Sequence, residues 1–477
     1  MKTFLRLLLV LVACLFAHGQ DEPYVPETDP LVLKKLDEWQ DNKFGFMMHW
    51  GAYSQWEIVE SWSICSEDVD WCRRPKGISY VDYVKKYEEL PKTFNPVAFD
   101  PERWAKAAKD AGMKYLVFTT KHHDGFSMFD TKYSDYKITS KEVPFHTNPR
   151  ADVTKAIFNA FRGQGFGIGA YFSKPDWHHD DYWAPEWATP DRNNNYDTRK
   201  YPERWQRFKD FTFNQINELT SNYGSVDILW LDGGWVRKRK EPWDASVGSG
   251  KVPWQQDIDM PRIAAMARKN QPGIIIVDRD VHGPFENYRT PEQKVPDKPL
   301  LYPWETCITM ATSWSYVPDD TYKLSRQLVH LLVDVVAKGG NLLLNVGPGP
   351  NGELPPQAYD RMRDIGAWLK INGEAIYKTR PIEPYIEGKL RFTRLKDGTV
   401  FAIYLADEGE LELPATISLT TITPAQNVRM ELLGADMRLT AKRVGKTTII
   451  DIPESVRRST SGQLAWTIKI SRTGQPD

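Results

Sequence analysis

Charge of one sign is what this sequence most plainly lacks. Its 62 Lys and Arg meet 63 Asp and Glu, leaving a formal net charge of -1 over 477 residues. Such a chain has no electrostatic footprint for nucleic acid or an anionic membrane surface, so neither is expected as a partner and bulk charge does not select the substrate. Long apolar runs are missing as well. After the first residues, nothing approaches the ~20 apolar residues of a membrane-spanning helix. No Gly-x-Gly-x-x-Gly opens a helix near the start, which argues against an open dinucleotide-binding sheet. Neither His-x-His nor His-Glu-x-x-His occurs, and Gly347-Pro-Gly-Pro-Asn-Gly352 lacks the following Lys-Ser/Thr of a phosphate loop. There is no internal repeat and no low-complexity stretch.

Cysteine is also rare, at 4 residues, whereas the chain holds 18 Trp and 21 Tyr. Flat amphipathic rings cover the C–H faces of sugars, although most such rings belong to cores. The first 19 residues read as a signal peptide: Lys2 and Arg6, an apolar run from Leu7 to Ala17, then Ala17-His-Gly19 before Gln20. Export to the periplasm or the medium is therefore expected. A lipoprotein box at Leu11-Val-Ala-Cys14 ranks second, because Leu15 and Phe16 prolong the apolar run. Removing the signal leaves Cys65, Cys72 and Cys307, of which the first two are spaced for a short-loop disulfide.

From about residue 30 to 375 apolar strand-like runs alternate with amphipathic stretches, the texture of repeated β-α units around a parallel sheet. Strands are expected at Phe44–His49, Tyr115–Thr119, Ile168–Phe172, Asp227–Leu231, Ile274–Val277 and Leu342–Val346. Helices fit between them, as at Pro101–Ala111, Val153–Arg162 and Arg204–Leu219. The fold class is α/β, a TIM-like (β/α) barrel that need not be regular. After Arg380-Pro381 short alternating runs separated by Asp-Gly, Glu-Gly and Pro turns indicate a C-terminal antiparallel β-sandwich. The expected division is a signal peptide over 1–19, a catalytic barrel over 20–378 and a sandwich over 379–477. Few aromatics in the last unit favour a buttressing role over glycan binding.

Polar residues collect at the carboxyl ends of these strands, which a barrel directs to one mouth. Val226-Asp-Ile-Leu-Trp-Leu-Asp232-Gly-Gly-Trp235 ends a buried-strand pattern on a carboxylate followed by two glycines. Elsewhere the ends carry His49 and Trp50, His122 and His123, Tyr171, and Arg279 between Asp278 and Asp280. Alone, each is more simply a satisfied structural residue. Together they suit two chemistries: a metal held by His49, His122, His123 and Asp232, or two carboxylates flanking a glycosidic bond while histidines bind hydroxyls. The metal reading lacks a ligand spacing, and adjacent His122 and His123 leave a straight strand in opposite directions unless its end bends.

The chain resembles the family 29 glycoside hydrolases, the exo-acting α-L-fucosidases. The resemblance rests on FGFMMHWGAYS from Phe44, FNPVAFDP from Phe94, AGMKYLVFTTKHHDGF from Ala111, Asp227–Trp235, Pro303-Trp304-Glu305-Thr306 with Ser313-Trp314, and NLLLNVGPGP from Asn341. It implies a (β/α) barrel followed by a β-sandwich, a fucosylated oligosaccharide or glycoconjugate as substrate, no cofactor and no metal. It further implies a retaining mechanism in which two carboxyls lie roughly 5 Å apart and one forms a glycosyl-enzyme. Asp232 matches the nucleophile. For the acid/base, Glu292 in Tyr288-Arg-Thr-Pro-Glu292 is preferred over Glu305 and Glu286. His49, His122, His123, Tyr171, Trp230 and Arg279 match positions that contact the sugar or the nucleophile, and Trp314 matches an aromatic packed on it. Trp62 and Trp314 are candidates for the wall facing the fucose methyl. Glu60-Ser-Trp62 departs from the adjacent Glu-Trp of some members, which affects the carboxylate expected on the axial hydroxyl. An exo-glycosidase acting on a related sugar such as α-L-galactose, and an inactive fucose-binding protein, are the alternatives. Loops at Glu67–Lys76, Trp177–Asn193 and Lys238–Trp254 are expected to govern linkage preference.

Overall fold

The computed structural model describes residues 23–66, 77–189, 191–238, 252–422, 424, 428–435 and 437–472. The expected signal peptide, Cys72 and most of two loops assigned to linkage preference lie outside them; Cys65 and Cys307 are buried. In chain order the first part runs α1 (Pro30–Asn42), β1 (Phe44–Met48), α2 (Tyr80–Glu88), α3 (Pro101–Asp110), β2 (Tyr115–Lys121), α4 (Val153–Gly163), β3 (Gly167–Ser173) and α5 (Pro202–Asn222). It continues through β4 (Ile228–Asp232), α6 (Met260–Asn270), β5 (Ile275–Asp278), β6 (Glu305–Thr309), α7 (Ser325–Ala337), β7 (Asn341–Val346) and α8 (Pro356–Asn372).

Local chemistry starts the helices where they begin. The Asp100 side chain accepts from the Arg103 N–H with Pro101 at the first turn of α3, and Asp152 accepts from the Lys155 N–H at α4, so orphan amides are satisfied. Each then lays an apolar stripe on the sheet, Trp104, Ala105 and Ala108 in α3 and Ile157, Phe158 and Phe161 in α4.

The seven strands form one sheet in the order β5-β4-β3-β2-β1-β7-β6, all neighbours parallel. It curls into a TIM-like barrel. Strand alternation separates two apolar layers: Ile228 and Trp230 of β4 join Met47, Val117, Tyr171 and Val277 inside the curl, while Leu229 and Leu231 pack outward under the helices. Among the described residues no ladder joins β5 to β6. The gap is filled by the segment 285–293, which runs antiparallel to β5 at Val277↔Glu286, then parallel to β6 at Arg289↔Trp304 and Glu292↔Cys307. Backbone bonds fasten it on both sides, Asn287 N–H to Ile276 O at 2.9 Å and Gln293 N–H to Cys307 O at 3.0 Å. β6 itself, Glu-Thr-Cys-Ile-Thr, is absent from the strands expected above because most of its residues are polar.

Strands β8 (Arg380–Glu387), β9 (Leu390–Arg394), β10 (Val400–Tyr404), β11 (Thr416–Leu419), β12 (Val428–Leu432), β13 (Thr440–Val444), β14 (Thr447–Asp451) and β15 (Trp466–Arg472) follow, with α9 (Glu454–Ser459) between the last two. They make two antiparallel sheets, β12-β15-β10-β9-β8 and β11-β14-β13, around Phe392, Leu419, Leu432, Ile450 and Trp466. This sandwich is tied to the barrel helices by Trp368 Nε1 donating to Ala465 O at 2.9 Å and by Arg391 on Asp334 at 2.6 Å.

Candidate active site

β4 delivers Asp232 to the carboxyl-end mouth, and the two glycines after it make room. Gly233 adopts φ 87°, a left-handed conformation that side chains rarely take. A Cβ on Gly234 would stand 2.8 Å from the Arg279 carbonyl oxygen, so the chain following β5 can approach only a glycine there. Asp232 Oδ1 accepts from Arg279 Nη1 at 2.9 Å and from the Gly233 N–H at 2.8 Å. Oδ2 accepts from the Tyr171 hydroxyl at 2.7 Å, with His123 Nε2 at 3.7 Å. Burial alone would push this carboxyl up, but Arg279, with Tyr171 and Gly233 donating, holds it far below the usual carboxylate range. Asp232 is thus a fixed anion.

The register of β2 shifts between Thr119 and Lys121, and this irregularity answers the objection that adjacent histidines diverge. Both rings lie at the mouth, their centroids 4.3 Å apart. His49 comes from the end of β1, its Nδ1 2.8 Å from Asn345 Oδ1 of β7 and its ring 5.0 Å from that of Trp314. Burial lowers the pKa of His49 to about 4 and of His123 to about 3, and pushes His122 well below its ordinary value. At neutral pH the three are uncharged imidazoles, able to donate to and accept from hydroxyls.

The turn Ser61–Ile64 sets the opposite wall. Ser61 Oγ is hydrogen-bonded to His122 Nδ1, the Trp62 ring lies 5.2 Å from His123, and Glu60 is buried at the head of the turn. Trp177 and Trp235 add rings at 5.0 and 5.3 Å from His123. Trp230 lies lower, one strand repeat below Asp232; only 2% exposed, it stacks on Tyr171 and forms part of the support beneath the mouth. The residues that single-residue reading passed over are Asn345 and Ser61, which orient His49 and His122. Asn345 had a visible signal, a lone amide inside the apolar run Leu342–Val346.

The three competing glutamates occupy three different places. Glu292 is half-exposed on the segment between β5 and β6 and bonds Arg279 Nη2, so one guanidinium joins it to Asp232. Glu286 is 2% exposed and committed to its own loop, accepting from the Asp280 N–H at 3.0 Å and the His282 N–H at 3.2 Å. Glu305 is fully buried at the amino end of β6, away from the mouth, and accepts from the Tyr115 hydroxyl. Ligating atoms of His122, His123 and Asp232 do lie within 4.8 Å of one another. A cation there would meet the Arg279 guanidinium on the same carboxylate, so this donor set suits a poised anion better than a metal.

Chemistry between two carboxylates in a mouth walled by indoles and neutral imidazoles is that of a glycoside hydrolase. Comparison with known proteins narrows the class. The alpha-L-fucosidase family model matches residues 11–374. The alpha-L-fucosidase of Branchiostoma floridae is 28% identical over 97% of this chain and 99% of its own length, and the tissue alpha-L-fucosidase of Mus musculus is 28% identical over 94% and 95%. Among solved structures, alpha-L-fucosidase isoenzyme 1 from Paenibacillus thiaminolyticus superposes with TM-score 0.73 at 28% identity, covering 93% of this chain and 99% of that one. The Thermotoga maritima alpha-fucosidase, solved with a mechanism-based inhibitor, gives 0.71 at 27% identity, covering 94% and 100%. The chain belongs to the alpha-L-fucosidase family.

Proposed function

We propose that this enzyme removes terminal α-L-fucosyl residues from fucosylated glycans by retaining double displacement, with Asp232 as nucleophile and Glu292 as acid/base. The observation that carries the assignment is the shared guanidinium: Arg279 bonds both carboxylates and holds them within its own span. In the first step an Asp232 oxygen attacks the anomeric carbon. Oδ2, with one hydrogen bond against two on Oδ1, is the freer. The glycosidic C–O bond breaks as Glu292 gives its proton to the leaving oxygen. Esterification removes the charge of Asp232, and Arg279 is left with Glu292 and the more distant Asp280, at 3.8 Å, as its carboxylates. Glu292 is then the anion that takes a proton from water as the water attacks the sugar and Asp232 departs, with net retention.

Neutral His49, His122 and His123 would hold the sugar hydroxyls, with Glu60 at the edge, while Trp62 and Trp314 face the C5 methyl. Export, and the division into a catalytic unit over 20–378 and a sandwich over 379–477, belong to the same proposal. The leader rests on residues 2–19 alone and is tested by sequencing the mature amino terminus. The catalytic roles are tested with an activated aryl α-L-fucoside and azide. Glu292→Ala should yield α-fucosyl azide, whereas Asp232→Ala should not. A Glu292→Ala enzyme that works at the wild-type rate without azide would remove Glu292 from the mechanism.

A further inference from the structure

The Pro303-Trp-Glu305-Thr306 motif takes no part in the chemistry above, yet it places a carboxyl with 0% exposure inside the barrel. Glu305 opens β6 opposite Asn341, the first residue of β7, and so lies at the floor, the end of the strands remote from the mouth. Its Oε2 accepts from Tyr115 of β2. Glu305 Oε1, the Tyr288 hydroxyl and the Trp230 indole N–H are all buried without a hydrogen-bond partner among the described residues, and the last two lie near enough to the carboxyl to favour its charged form.

These two neighbours lead to different catalytic carboxylates. Trp230 stacks on Tyr171 with ring centroids 5.1 Å apart and carries the Arg279 guanidinium 5.4 Å above its face. Tyr171 and Arg279 are the two side chains that hydrogen-bond Asp232. Tyr288 stacks on Trp39 at 4.1 Å, nearly parallel, and immediately precedes Arg289, whose backbone joins the seam segment to β6 on the way to Glu292. Burial raises the pKa of Glu305 to about 7. A neutral carboxyl offers both a donor and an acceptor to such a cluster.

We propose that Glu305 is a positioning residue for both carboxylates at once, fixing from the barrel floor the Trp230 column beneath Asp232 and the Tyr288 anchor of the segment that carries Glu292. The proposal rests on the roles given to Asp232 and Glu292. A floor residue acts on the rate only through geometry, and displacements of about 1 Å at reacting groups cost up to 10²-fold.

The experiment compares Glu305→Gln, Glu305→Leu, Trp230→Phe and Tyr288→Phe on aryl α-L-fucosides with good and poor leaving groups, normalised to folded protein by circular dichroism. Glu305→Leu should lose roughly 10–100-fold in kcat/KM on both substrates, mostly in kcat. Glu305→Gln, which keeps the shape and an oxygen to accept from Tyr115, should stay within about threefold of wild type. Trp230→Phe should lower both substrates equally. Tyr288→Phe should lower the poor leaving group more, because it disturbs the proton donor. A lower Tm with wild-type kcat in Glu305→Leu, or equal losses in the Gln and Leu variants, overturns the proposal. If Glu305→Leu does not fold, the leaving-group contrast between Trp230→Phe and Tyr288→Phe decides, and its absence overturns the proposal. Asp232→Ala and Glu292→Ala run alongside: wild-type behaviour there would sink the catalytic roles, whatever Glu305 does.

Discussion

The two carboxylates of this site are mounted in opposite ways. Asp232 ends a regular strand inside a parallel ladder, with a side chain 13% exposed and three hydrogen bonds, whereas Glu292 rides a segment held by isolated bridges and is 42% exposed. The difference suits the tasks proposed for them. An attacking anion must stay charged and aimed, so fixed donors serve it. A proton donor that becomes a base must exchange protons with water and admit leaving groups of many shapes, which a half-exposed position permits.

Four measurements break or sharpen this contrast. Asp232→Ala should lose about 10⁴-fold or more in kcat/KM whatever the leaving group, and Glu292→Ala about 10²–10⁴-fold on poor leaving groups but far less on a dinitrophenyl fucoside. A flat leaving-group dependence in Glu292→Ala would erase the distinction. Arg279→Ala severs the link between the carboxylates and should cost about 10²–10³-fold, the usual loss of one preorganised charge-stabilising group. Tyr171→Phe touches only the strand-mounted carboxylate. Loss of one hydrogen bond to a charged group, about 1.5–3 kcal/mol, should lower kcat/KM by roughly 10- to 100-fold with leaving-group dependence unchanged.

The smallest effect is on stability against pH. His49 and His123 have folded pKa values of about 4 and about 3, below the ordinary 6.5, so their contribution is complete above pH 6.5 and is lost as pH falls toward those values. Glu305, raised by burial to about 7, contributes in the other direction: its stability is present below the ordinary 4.5 and is lost as pH rises through about 7. Glu305→Gln should therefore flatten the neutral-side decline in Tm, a change of roughly a few degrees, while leaving the acid side intact. An unchanged slope between pH 5 and 8 would remove Glu305 as its source.

The barrel was legible where strands are buried on both faces. β1 to β5 and β7 stand out as short apolar runs, and once a parallel barrel is expected, His49, His122, His123, Tyr171, Asp232 and Arg279 fall at one mouth by topology alone. β6 and the seam beside it did not stand out. Their backbones hydrogen-bond each other, a pairing that no periodicity announces. For the same reason Glu286, Glu292 and Glu305 could be narrowed by sequence but not placed; their separate destinations in a loop, at the mouth and on the floor are set by how the segment 285–293 threads the gap. In the sandwich, all five residues of β13 are exposed, so no apolar alternation marks it in the sequence.

That threading makes ring closure and the placing of the proposed acid/base a single event. Until the segment docks, β5 and β6 present open edges of the kind that recruits other chains, and the second carboxylate has no fixed place. Docking caps both edges and brings Glu292 to Arg279. On the proposed role of Glu292, a newly made molecule able to turn over substrate is thus also one in which the edges of β5 and β6 are covered, so activity doubles as a certificate of correct assembly.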